Sequence, residues 1–255
     1  MNIMGNALDR RRDDGKPLSP ERQRMNEALA RLGREGMKET PQRDGRLIVA
    51  LDLTGSREHG LRQARMATTA MFDAVKSLGA VAVKLVYYRG LDECRASGWY
   101  SDPDLLSQSM QRLSCENGQT QIARVLRFVA LMEREPVSGV VFVGDHCEDD
   151  AGELREWAAV LGQRSIPVFV FHECADHDER SLDAKPLFKH LATASGGVYC
   201  EFKPDSGAVL REMLSSVAAF SAAGVEGVKQ AALPHTPEAR QLQKRLLLGP
   251  SLSDI

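Results

Sequence analysis

The chain has 255 residues, enough to bury one sizeable core with flanking segments. Its hydrophobic share of 43% and charged share of 27% exclude a fibrous or wholly unstructured chain. A formal net charge of −2 gives no overall electrostatic case for nucleic acid or an anionic membrane as partner.

Residues 1–45 are rich in charge and hold no strand-like run. Ser19-Pro20 reads as a helix start and Gly33 as a stop, with Met25, Leu29 and Leu32 near helical spacing between them. From Arg46 the pattern alternates. RLIVALDL is a continuous apolar run, as expected of a strand buried on both faces. Leu61, Ala64, Thr68, Met71, Val75 and Leu78 then mark one face of a helix. AVAVKLVYYRG is a second strand, and ECRASGWYSD a short strand or hairpin arm. PDLLSQSMQRL and TQIARVLRFVALMERE read as helices, SGVVFVGD as a buried strand, and DDAGELREWAAVLG as a helix opened by acids. IPVFVFHE predicts a strand, HECADHDER a solvated polar loop, KPLFKHLATASG a helix and GVYCEFK a short strand. SGAVLREMLSSVAAFSAAG closes the series as a helix with Leu210, Met213, Leu214 and Val217 on one face. In the tail, Thr236 and Pro237 start a short helix with Leu242, Leu246 and Leu247, expected to fold back onto the domain.

Strands alternating with helices require crossover connections. The expected fold is therefore α/β: a doubly wound, mainly parallel sheet with helices on both faces, and the short third strand as an antiparallel edge. The expected organisation is a charged N-terminal extension (1–45), one α/β domain (46–226) and a C-terminal tail with a short helix (227–255). The five cysteines are odd in number and form no CxxC pair, which fits reduced thiols. Cys147, Cys174, His146 and His172 match no zinc spacing. No stretch reads as a bilayer span, and MNIMGNALDRRRDDGK lacks the apolar centre of a secretory signal. The expected location is the cytoplasm.

In doubly wound sheets ligands bind beyond the C-terminal strand ends, and there the sequence gathers oxygen. Asp52, Thr54 and Ser56 follow the first strand, Thr120 precedes a helix, and Asp145 ends a later strand. Two acids and three hydroxyls from separate segments suit Mg²⁺, which takes few carboxylates and keeps several waters. Each residue also has a plainer role, because Asp52, Ser56 and Thr120 are all capable helix caps.

This pattern resembles the von Willebrand factor type A domain and its metal-ion-dependent adhesion site (MIDAS): Asp-x-Ser-x-Ser after the first strand, a Thr in a later loop, and an Asp after the fourth strand. The resemblance places those roles on Asp52, Thr54, Ser56, Thr120 and Asp145. GQTQIARVL resembles the stretch around the family's Thr, and LFKHLATASGGVYCEFKPDSGAVLREML its last helix-strand-helix unit. Thr54 departs from the usual Ser, and His146 stands where Gly is commonest; the plain expectation for His146 is a cap or a solvent-facing ring. The bacterial-type setting is expected from the compact single-domain layout, and the cytoplasm from the N-terminal pattern; the resemblance implies a non-enzymatic interaction module. Its Mg²⁺ (or Mn²⁺ or Ca²⁺) would take an Asp or Glu from a protein partner, within a multiprotein assembly. Two alternatives remain. ALDLTGS and GDHCEDD also resemble the haloacid-dehalogenase signatures, with Asp52 as nucleophile of a Mg²⁺-dependent phosphatase, although Thr54 stands where that chemistry needs a second Asp. The other is a scaffold whose metal site has decayed.

Overall fold

The computed structural model describes residues 45–55, 81–131, 133–174, 178–204 and 206–248. The helix expected between Ser19 and Gly33, the one from Leu61 to Leu78, and Ser56 lie outside the described residues.

Six strands form one sheet: β1 (Gly45–Asp52), β2 (Val81–Arg89), β3 (Glu93–Tyr100), β4 (Gly139–Gly144), β5 (Val168–Glu173) and β6 (Tyr199–Phe202). Their spatial order is β3-β2-β1-β4-β5-β6. β1, β2, β4, β5 and β6 are parallel, and β3 pairs antiparallel with β2. The expected architecture and its antiparallel edge are therefore present. The reason lies in the composition of the strands: every residue of β4 and β5 is buried, so these runs are stable only where helices cover both faces. Each fully buried Val, Leu, Ile or Phe contributes about 1.5–3 kcal/mol, and such residues make up most of the central strands.

The sheet divides the core in two. On one face Leu47, Val49, Leu51, Val141, Phe169 and Phe171 pack with α1 (Pro103–Gln111), α5 (Gly207–Gln230) and α6 (Pro237–Leu248). On the other, Ile48, Ala50, Tyr88, Phe142 and Val170 pack with α2 (Ile122–Leu131), α3 (Ala151–Gln163) and α4 (Glu179–Ser195). Asp102 and Asp150 cap α1 and α3 by accepting backbone N–H groups, and α4 ends on Gly196 at φ +79°, a left-handed residue suited to a helix terminus.

Four details differ from the sequence expectations. α2 ends at Leu131, short of the expected Glu135. α4 begins at Glu179, capped by Asp178, so Pro186 lies inside the helix rather than at its first turn. HECADHDER is not a solvated loop throughout: His172 and Glu173 end β5 and are buried, and Glu179 and Arg180 are helical. α5 runs to Gln230 through non-helical backbone at Ala223 and Gly224. By length and composition α5 is also long and apolar enough to cross a membrane, with half of the qualifying window buried. Its apolar face, including Leu210, Leu214 and Val217, packs in the core beneath the sheet.

α6 packs along α5, with Leu242 and Leu246 buried. Its start is held from outside. Glu212 of α5 accepts from the N–H groups of His235 and Thr236 at 3.1 and 2.8 Å and from the Thr236 hydroxyl at 2.7 Å. Thr236 thus donates its hydroxyl to another helix.

Candidate metal centre

β1 and β4 are parallel neighbours with Leu51 opposite Val143. Asp52 ends β1, and Asp145 comes immediately after β4, so the register brings both acids to the same end of adjacent strands. Asp52 is 3% exposed. Its Oδ1 accepts from the Thr54 N–H at 2.8 Å and the Thr54 hydroxyl at 2.7 Å, which fixes the turn after β1 and sets Thr54 beside the carboxylate.

The loop carrying Thr120 is tied across the ends of β1 and β2. Glu116 N–H donates to the Leu53 carbonyl at 2.9 Å, and Gln119 N–H to the Gly90 carbonyl at 3.2 Å. Gly90 adopts φ +59°, and a Cβ on Gly118 would lie 1.9 Å from the Gly90 oxygen. Any side chain at 118 would push this loop off the strand ends.

Thr120 is 7% exposed and faces the loop after β4. Its hydroxyl donates to Asp149 Oδ2 at 2.7 Å and accepts from the Glu148 N–H at 2.6 Å, while its own N–H donates to Glu148 at 3.1 Å. Asp149 also accepts from the N–H groups of Ile122 and Ala123 at 3.0 and 2.9 Å. It is therefore Asp149, three residues beyond His146, that caps α2, while its neighbour Asp150 caps α3. The sequence expectation that Thr120 is either a ligand or an N-cap missed this arrangement. The signal was the acidic run EDD, of which only the acid next to α3 serves that helix.

His146 neither faces water nor caps a helix. It is 7% exposed, and its Nδ1 lies 2.9 Å from Asp145 Oδ1. The contact with Asp145 raises the imidazole pKa; burial opposes the shift, and the charges of Asp145 and Asp52 add to it. Tyr88 lies on the same face. Burial first, then the charges of Asp52 and Asp149, hold its phenol well above the usual value. Three carboxylates, those of Asp52, Asp145 and Asp149, thus act on one small polar volume.

Behind Asp145 lies a second layer missed by sequence reasoning. The fully buried His172 places Nε2 2.9 Å from the Asp145 carbonyl oxygen and 2.9 Å from Ser181 Oγ, and Nδ1 2.8 Å from the Tyr199 hydroxyl. Burial lowers its pKa, which favours a neutral ring able to donate to that carbonyl. A polar histidine closing an apolar strand was its only trace in the sequence.

Of the five residues expected to hold a cation, the structure sets Asp52 and Thr54 in direct contact and Asp145 one register step away. It turns Thr120 toward Asp149, and Ser56 is outside the described residues. Among the described residues no three His, Cys, Asp or Glu side chains are grouped as a metal cage. The expected set, two carboxylates with hydroxyls, is not of that kind. Its chemistry fits a hard cation: every donor is oxygen, and the two acids lie at the same end of adjacent strands. A cation there would meet Asp52 and Thr54 directly and compete with His146 for Asp145.

No family model matches the sequence, and no curated protein matches it. Solved structures do. A von Willebrand factor type A protein from Catenulispora acidiphila has 15% identity and a TM-score of 0.57, over 70% of this chain and 42% of that one. The pilus adhesin SpaC from Lactobacillus rhamnosus GG, in an open conformation, has 11% identity and a TM-score of 0.55, over 71% and 30%. Proximal thread matrix protein 1 from the mussel byssus, with a zinc-occupied MIDAS motif, has 14% identity and a TM-score of 0.51, over 68% and 45%. The chain spans less than half the length of each. The likeness extends to the fold, and the fold of this chain is of the von Willebrand factor type A kind.

Proposed function

We propose that this chain is a protein-interaction module whose sheet edge holds a divalent cation through Asp52, Thr54, Ser56, Thr120 and Asp145. A carboxylate from an Asp or Glu of a protein partner completes the cation's shell. The observation that supports this reading is that three separate loops meet at the C-terminal end of β1: the turn of Asp52 and Thr54, the Glu116–Thr120 crossing bonded to Leu53, and Asp145 just after the neighbouring β4. A zinc-occupied MIDAS motif in a protein of the same fold supports a divalent ion here, with Mg²⁺, Mn²⁺ and Ca²⁺ the candidates. When bound, the ion supplies a positive charge that an acidic partner group can bind. The chain's own residues orient the acids: His172 fixes the Asp145 backbone, and Asp149 fixes the Thr120 loop.

A binding role is favoured over phosphoryl transfer because the position two residues after Asp52 holds a hydroxyl. Thr54 donates to Asp52 and lacks the carboxylate a proton-transfer partner would need. The setting proposed is the cytoplasm of a bacterial-type cell, within an assembly. Calorimetric titration of Mn²⁺ into metal-free protein tests the site. Saturable binding lost in Asp52→Ala supports it, and equal binding by both proteins refutes it. Mg²⁺-dependent hydrolysis of phosphate esters, abolished by Asp52→Asn, would favour the phosphatase instead.

A further inference from the structure

β6 is the last strand of the sheet, and it lines a cleft of about 500 Å³ whose opposite wall is α6, through Glu238, Gln241 and Arg245. The Val170 N–H donates to the Val198 carbonyl, and the Cys174 N–H to the Phe202 carbonyl. The even-numbered residues of this strand therefore turn their backbone groups toward β5. In a parallel ladder alternate residues point the other way, so the N–H and C=O of Tyr199 and Glu201 are directed away from β5, into the cleft. A row of such groups is a template for another strand.

Positive charge stands on both faces of this edge. Tyr199 packs on the α4 face and Cys200 on the α5 face. Lys189 of α4 lies 5.7 Å from the Tyr199 ring centre. On the other face, Arg245 of α6 lies within electrostatic reach of Cys200. Lys203 follows at the strand end. Two carboxylates also line the cleft. Glu201 is compensated by Lys185 at 2.7 Å and by the Tyr199 hydroxyl at 3.0 Å; Glu238 lies in the first turn of α6. A strand laid along β6 alternates its side chains between the two faces, so its acidic residues meet a cation on either side.

We propose that the cleft between β6 and α6 accepts an extended acidic segment of a protein partner as a seventh strand of the sheet. The surface is independent of the cation site, which lies at β1 and β4, and it needs no metal. Nucleic acid would match the charge but not the outward amide ladder.

The test uses the full chain in EDTA and a fluorescein-labelled hexapeptide, Glu-Val-Asp-Glu-Val-Asp, followed by anisotropy. The expected result is saturable binding, weakened about tenfold or more, or about 1.4 kcal/mol, when Lys189→Glu and Arg245→Glu are combined. Glu201→Pro removes an N–H that points into the cleft and makes no bond to β5, and it also removes a negative charge. Binding should weaken in that variant although the cleft becomes more positive. In the wild type, peptide saturation should slow hydrogen exchange at the Tyr199 and Glu201 amides, a readout that needs no variant to fold. The proposal is overturned by absent saturable binding, or by unchanged exchange at those two amides. It is equally overturned if an oligothymidylate displaces the peptide from the wild type and binds Glu201→Pro undiminished.

Discussion

Lys84 and Asp52 are buried charges on the same face of the sheet, on neighbouring strands, four rungs apart in the β1–β2 ladder. Lys84 is closed on itself. It pairs with the buried Glu133, and its ammonium lies 4.7 Å from the Trp99 ring centre and 5.9 Å from that of Phe128. Asp52 is surrounded differently: Thr54 donates to it, and its charge acts together with that of Asp149 on Tyr88 and with that of Asp145 on His146. One region balances buried charge internally and so serves the fold. The other concentrates negative charge at the strand ends where ligands meet such sheets, an arrangement that a cation would relieve.

The contrast is sharpest in stability. Glu133→Leu or Lys84→Met alone should cost about 3–5 kcal/mol, because each leaves one charge buried without its partner. The double variant should recover most of that loss in urea unfolding; a double variant as unstable as the sum would mean that the pair does more than balance charge. Asp52→Ala should differ in how its effect depends on metal. Without metal it should cost about 1–3 kcal/mol, since it leaves both Thr54 donors without their acceptor. With Mg²⁺ at about a hundred times the dissociation constant, the wild type should gain about 2.7 kcal/mol, and the variant nothing. An equal Mg²⁺-induced shift in melting temperature for both proteins would erase the distinction.

Glu212 offers a third kind of acid, partly buried and satisfied by hydrogen bonds. Burial would raise its pKa, but bonds from Thr236 and His235 outweigh it and depress the value to about 2. Its contribution is therefore present in full above the ordinary carboxylate value of 4.5 and is lost as pH falls toward 2. Glu212→Ala should cost about 1.5–3 kcal/mol at pH 7 and progressively less in acid, read by unfolding at several pH values. The smallest effect should come from Asp149→Ala, which removes the α2 cap for about 1 kcal/mol while freeing the Thr120 hydroxyl. If Thr120 is a ligand, Mn²⁺ affinity should change more than stability does.

The strands were legible because buried parallel strands leave continuous apolar runs, and the acids at their ends were legible as polar residues closing those runs. The start of α4 was not, because Pro186 imitates a first-turn proline and draws attention away from the Asp178 cap. The roles of Glu212 and Asp149 were not legible either. Each caps a helix more than twenty residues away in sequence, and local spacing carries no record of such contacts. His146 was misjudged for a related reason, since a polar residue in a loop reads as solvated until the fold closes around it.

The central claim is that Asp52 and its neighbours hold a cation. The most direct measurement is an anomalous difference map from crystals grown with Mn²⁺. The account predicts one strong peak within coordination distance of Asp52 and Thr54, on the side of Asp145. A map with no peak there, at Mn²⁺ concentrations that saturate any binding seen in solution, would contradict it.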